Sequence, residues 1–145
     1  MSFDLKIIEG DINFSTTDEE GIELVQGYNK VIQDLHKILL TPIGENLFHP
    51  GYGSTIGYLS EGSSVNFNDF SRNVQESVYS ALNGLIALQQ YQVRRQILSP
   101  EETIMSINSV NVFLDETDPR LINVIANVTL GDLTELPASV TVKIK

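Results

Sequence analysis

The stretch "TIMSINSVNVFL", residues 103–114, decides the fold. It breaks with the helical spacing of the chain before it and alternates, with Val110, Val112 and Leu114 on one face and Asn111 and Phe113 on the other. The earlier Ile104 and Ile107 are out of phase with each other, so a bulge is expected near Asn108. Next, "DETDPR" has the composition of a turn, and "LINVIANVTL" (121–130) alternates Ile122, Val124, Ala126, Val128 and Leu130 against Asn123, Asn127 and Thr129. "GDLTELPAS" reads as a second turn, and "VTVKIK" (140–145) sets Val140, Val142 and Ile144 against Thr141, Lys143 and Lys145. Three strands with short links make an antiparallel meander, one face packed on the rest of the domain and the other polar. As the last strand, residues 140–145 are read as an edge whose unpaired backbone groups can take a strand from another molecule. The competing reading is an ordinary edge blunted by its lysines.

The chain before the meander is helical. From Asn29, an N-cap, the residues Val31, Ile32, Leu35, Ile38 and Leu39 recur at helical spacing, with Lys30, Gln33, Asp34 and Lys37 on the other side. Pro42 and Gly44 end this helix. A second helix is capped by Asn66 or Asn68 and carries Phe70, Val74, Val78, Ala81 and Leu85 on one face. Asn83-Gly84 predicts a break, with a second piece running from Leu85 to Ile97 and bearing the adjacent pair Arg94-Arg95. Residues 1–27 read as an extended arm: "DLKIIEGDINFS" bends at Gly10-Asp11, and the short strand "IELVQG", with Ile22, Leu24 and Gln26 on one face, pairs with it. The order of elements gives one α+β domain over 1–145. Its parts are an N-terminal arm or β-ribbon (1–27), a helical part with a glycine-rich loop (28–98) and a meander (103–145).

Composition narrows the function. Nineteen acidic residues against nine basic ones give a net charge of −10, which repels the phosphate backbone and excludes nucleic acid as a partner class. No run approaches the roughly 18 to 20 apolar residues of a membrane span, and the start "MSFDLKIIEG" lacks the basic and apolar regions of a secretory signal. The absence of cysteine removes disulfides and thiolate chemistry and suits a reducing cytosol.

Candidate chemistry is sparse. The loop "TPIGENLFHPGYGSTIG" (41–57) holds Glu45 and His49 at a spacing of four, but a dyad needs a nucleophile or substrate proton in reach, and His49 precedes Pro50, which holds it extended. Gly44, Gly51 and Gly53 read as turn positions that fold Phe48 and Tyr52 back beside the helix. The spacing G-x-G-x-x-x-G at 51, 53 and 57 follows a helix, so it is not the dinucleotide fingerprint. Two histidines without a ligand motif point to no metal site, and no cofactor is expected. Glu101-Glu102 and the group Asp115, Glu116 and Asp118 read as solvated turn residues. Nothing in the chain compels an enzyme.

The combination "GDINF…GIELVQGYNKVIQDLHKILLTPIGENLFHPGYG" resembles the N-terminal half of the gp25-like baseplate wedge family of contractile phage tails and related injection systems. The features that carry the likeness are Gly10-Asp11, Gln33-Asp34, Leu39-Leu40-Thr41, Gly44-Glu45-Asn46 and Pro50-Gly51-Tyr52-Gly53. It covers about the first 58 residues closely and the order of later elements loosely. The resemblance implies a structural part of the virion tail, assembled in the host cytoplasm, that links the baseplate to the sheath and initiates sheath polymerisation by strand addition. The implied partners are the helical core bundle of the baseplate wedge, the tail sheath protein and the tail tube. Members commonly carry Glu-Pro-Arg before the first meander strand. This chain has Ser99-Pro100-Glu101-Glu102 instead, which leaves Glu101 and Glu102, with Arg94 or Arg95, as candidates for the wedge contact. The family has also carried a lysozyme label, so a cell-wall glycoside hydrolase is the alternative, with Glu45, Glu101 or Glu102 as candidate acids.

Overall fold

A computed structural model describes residues 2, 4–8, 23–59 and 66–143, with the backbone of 11 and 12. The meander forms as the alternation requires: β5 (Ile104–Leu114), β6 (Leu121–Leu130) and β7 (Glu135–Lys143) lie side by side in that order, antiparallel throughout. Val112, Val124 and Val140 stand in register across the sheet, each buried on the same face. The register of β5 shifts twice, between Ile104 and Ser106 and between Ile107 and Ser109. These bulges let Ile107, three residues from both Ile104 and Val110, pack on the same core face as they do. Leu114, expected inward, is exposed at the strand's end.

The last strand is longer than the sequence suggests. It starts at Glu135, so all of "ELPAS", read as turn, is ladder, and the connection shrinks to residues 131–134, with Leu133 at φ 69°. Pro137 sits inside the strand because β7 is an edge, where a residue without an N–H can turn that position outward.

Two helices cover one face of the sheet, and they contribute Leu35, Ile38, Val74, Val78 and Leu82 to a core shared with Ile122, Val124, Val128 and Leu130. The first, α1 (Gly27–Leu40), packs on β7, and it begins two residues before Asn29. Gly27 has φ +59°, a left-handed conformation that only glycine enters cheaply, and that lets the chain turn into the helix without a side-chain cap. The second, α2 (Phe67–Gln92), packs along β5 and is capped by the Asn66 side chain. The break expected at Asn83-Gly84 does not occur. Ala81, Leu82 and Leu85 are all buried around it, and their burial outweighs the cost of about 1 kcal/mol that glycine carries in a helix. The helix stops at Gln92, so Arg94 and Arg95 lie in the following turn rather than on a helical face.

In the N-terminal arm, β1 (Asp4–Leu5) pairs with β4 (Leu24–Val25), as expected, and β2 (Ile7–Ile8) with β3 (Asp11–Ile12). Two-stranded ribbons are marginal alone. This one is tied to α1: Gln33 accepts from Ile7 N at 2.9 Å and donates to Leu5 O at 2.7 Å, and Lys37 pairs with Asp4 at 2.7 Å. Gly10, Ile22, Ile144 and Lys145 lie outside the described residues. No described helix is long and apolar enough to cross a membrane.

Candidate interaction site

The two outer edges of the sheet differ. Leu130 N donates to Thr134 O at 2.9 Å and Asp115 N to Leu121 O at 3.0 Å, which fixes the phase of both ladders. Even-numbered residues of β6 turn their backbone groups to β7, and odd-numbered ones turn theirs to β5. On β7 the outward groups therefore belong to Glu135, Pro137, Ser139, Thr141 and Lys143. Among the described residues, no segment pairs with this edge. Val140 and Val142 are placed differently from what a contact surface needs: their side chains are buried in the core and their backbone groups face β6. Ile144 lies outside the described residues. On β5 the outward groups are those of Ile104, Ile107, Val110, Val112 and Leu114, whose partners are all even-numbered. There α2 intervenes: Gln89 Oε1 accepts from Ile104 N at 2.9 Å and Gln75 Nε2 donates to Val110 O at 2.9 Å. Neither glutamine stands out by type, but Gln89 lies four residues after Leu85 on the apolar stripe, a position where a polar residue signals a buried partner.

The loop 41–59 is pinned at its base and presented at its tip. Ile43 N donates to Ser54 O, Ser54 N to Thr41 O, and Ser54 Oγ to Leu39 O, so the two ends of the loop are joined to each other and to α1. Gly53 has φ +125°, and a Cβ there would lie 2.4 Å from Thr41 O, so the close approach requires glycine. Gly44 also has positive φ. Tyr52 packs on the core, and burial, with Asp34 and Asp4 adding, pushes its hydroxyl up to about 12. Phe48 does not fold back with it. Asn46 Oδ1 accepts from the amides of Phe48 and His49, and this local turn swings Phe48 and Leu47 outward, 91% and 90% exposed. Glu45, His49 and Pro50 are exposed too, and no hydrogen bond joins Glu45 to His49.

Glu102 is the largest departure from expectation. Instead of facing water, it is 1% exposed and accepts from Ser2 N at 3.0 Å, Gly27 N at 3.3 Å, Ser99 N at 3.1 Å and Ser99 Oγ at 3.0 Å. Burial opposes its ionisation, but these donors overcome that cost and hold the carboxyl at about 2. The signal was present: Ser99-x-x-Glu102 is a capping box at the short helical turn Pro100–Glu102. Glu101 is half-buried beside Gly27. Asp115 is fixed in the β5–β6 turn, where the Thr117 hydroxyl and the amides of Thr117 and Asp118 hold it at about 2. Asp118 pairs with Arg120 at 3.2 Å. Arg94 and Arg95 are exposed, and Arg95 stacks on Tyr91 with its guanidinium 5.1 Å from the ring centre. Between the arm and α1 runs an open groove with Leu24, Ile32, His36 and Leu40 in its walls, bounded by the Lys6–Glu23 and Lys37–Asp4 ion pairs. Among the described residues, no three acidic or histidine side chains gather to hold a metal ion.

No protein-family model matches the sequence, and no curated protein matches it either. One solved structure matches in three dimensions: a protein of Geobacter sulfurreducens described as a candidate tail lysozyme. It superposes with a TM-score of 0.58 at 16% identity, over 81% of this chain and 90% of that one. At that identity the likeness is one of fold, and it is the α+β fold of two helices on an antiparallel meander that the two share.

Proposed function

We propose that this chain is a structural component of a contractile tail, of the gp25-like baseplate wedge type, that receives a strand of the sheath protein on β7 and so starts sheath polymerisation. The observation that carries the reading is the regular β7 edge, with nine paired residues on its inner side and outward amides at Ser139, Thr141 and Lys143. Main-chain hydrogen bonds to an added strand give affinity, and the period-two alternation fixes register, so the first sheath subunits take their position from this protein. The fold shared with a protein described as belonging to a tail and the sequence features of the wedge family support the same assignment. On this reading Glu101, Arg94 and Arg95 face the wedge bundle, while the Glu102 side chain serves inside the molecule.

The description of the structural neighbour favours a second reading, a lysozyme-like hydrolase. Such an enzyme needs a carboxylic acid that stays protonated near neutral pH, beside a second carboxylate. Glu102 is held at about 2 and is enclosed, the opposite of a general acid. Glu45 is exposed on a loop. The structural reading is therefore preferred.

Co-expression with the sheath protein, followed by electron microscopy, tests it. The native chain should sit at the end of sheath polymers. Ser139→Pro removes one outward N–H without touching the β6 ladder, and should abolish that placement while the protein stays folded. Sheath assembly that is equally efficient without the chain, and never carries it, rejects the proposal.

A further inference from the structure

We propose that Gln75 and Gln89 confine strand addition to β7 by occupying two outward hydrogen-bonding positions of the β5 edge, Ile104 N and Val110 O. The inference rests on the reading of β7 as the accepting edge and adds what makes acceptance one-sided. A three-stranded sheet has two edges, and each is a template for a further strand. Gln89 is 3% exposed and fills two backbone positions at once, accepting from Ile104 N at 2.9 Å and donating to Glu102 O at 3.0 Å. Gln75 takes Val110 O at 2.9 Å.

The spacing of these caps follows from geometry. Residues 75 and 89 are separated by ~21 Å along a helix, and 104 and 110 by ~20 Å along a strand. Helix α2 runs antiparallel to β5, so its glutamines meet the outward strand groups in step. The two register shifts of β5 further deny an incoming strand a regular ladder. Among the described residues no such device guards β7, which pairs over nine residues without a shift; there Pro137, lacking an N–H, limits the available ladder to the stretch from Ser139 to Lys143. The occupant is one extended segment of another protein, with apolar side chains at alternate positions to continue the face of Ala138, Val140 and Val142. With one edge closed, copies cannot stack β5 on β7 into an open fibre.

The chain lacks cysteine, so single-cysteine variants report each edge. Ser139→Cys marks β7 and Asn111→Cys marks β5; both residues are exposed and neither side chain is hydrogen-bonded in the fold. The probe is a lysine-flanked peptide of alternating valine and threonine with one disulfide-activated cysteine, compared with the same peptide interrupted by proline. Ser139→Cys should be captured preferentially by the alternating peptide. Asn111→Cys should show no preference until Gln75→Ala or Gln75→Glu is added, and then gain about five- to tenfold, the ratio that one competing hydrogen bond supplies. Gln75→Glu keeps the volume but cannot donate to Val110 O, so it separates loss of the bond from loss of packing, and circular dichroism checks the fold of each variant. A preference at Asn111→Cys with Gln75 in place, or no gain on replacing Gln75, overturns the inference. Absence of a preference at Ser139→Cys overturns instead the reading of β7, and the gain at Asn111→Cys still decides the part played by the glutamines.

Discussion

Glu102→Gln should cost the protein about 2 to 3 kcal/mol at neutral pH, and the cost should vanish in acid. The carboxylate joins three separate pieces of chain: Ser2 at the N-terminus, Gly27 at the start of α1, and Ser99 ahead of β5. Its two oxygens serve four donors. A glutamine at the same place presents one oxygen and turns an NH2 group toward donors, so at least one of the four, Gly27 N, loses its acceptor even in the better orientation. Hydrogen bonds to a charged group contribute roughly 1.5 to 3 kcal/mol each before the remaining donors relax. The favoured ionisation points to a similar figure: the carboxyl is held at about 2 against an ordinary 4.5, a difference worth about 3 kcal/mol. Because the folded-state value is depressed, this stability is fully present above the unfolded value and is lost as the pH falls from 4.5 through about 2. Asp4, Asp115, Asp118 and Asp132 are depressed as well, so the whole protein loses stability in the same direction. The informative quantity is the difference between native and variant proteins. Urea unfolding at pH 7 and again near pH 2 measures it, and by heat the variant should melt roughly 4 to 12 °C lower at neutral pH. A variant within about 0.5 kcal/mol of native at pH 7, or a difference that persists unchanged near pH 2, refutes the role assigned to Glu102.

Leu133→Gly should stabilise the fold by about 1 kcal/mol in thermal unfolding, because Leu133 holds φ 69° and is 82% exposed, leaving little packing to lose. Gly53→Ala should cost about 2 kcal/mol or more, since the new Cβ meets Thr41 O at 2.4 Å; a melting curve unchanged from native would show that the loop base can yield. Phe48→Ser should leave stability within about 0.5 kcal/mol, given its 91% exposure, while weakening any partner contact of the loop tip, measurable by chemical denaturation beside sheath co-sedimentation. Leu35→Asp should prevent folding, because the site is fully buried among apolar neighbours with no partner for a carboxylate; a soluble, helical product would contradict the core described above.

What the sequence determined by itself is the part of the fold written in periodicity. The alternation of Ile122, Val124, Ala126, Val128 and Leu130 announces a strand buried on one face, and the bulge follows from Ile104 and Ile107 falling out of phase. The stripe Val74, Val78, Ala81 and Leu85 announces α2, and Gly44 and Gly53 announce a turn-bound loop. These signals are local, because a residue's period reports the face it lies on. Tertiary structure alone decided which partners those faces and polar groups meet. Gly84 stays helical because residues on both sides are held by the sheet, and Pro137 enters a strand because that strand is an edge. Glu102, one of two adjacent acids, is enclosed because amides distant in sequence converge on it. The difference between a closed and an open edge is likewise invisible in the strands themselves. It depends on two glutamines of a helix meeting backbone groups of a strand up to 35 residues away, an encounter that exists only once α2 lies along β5.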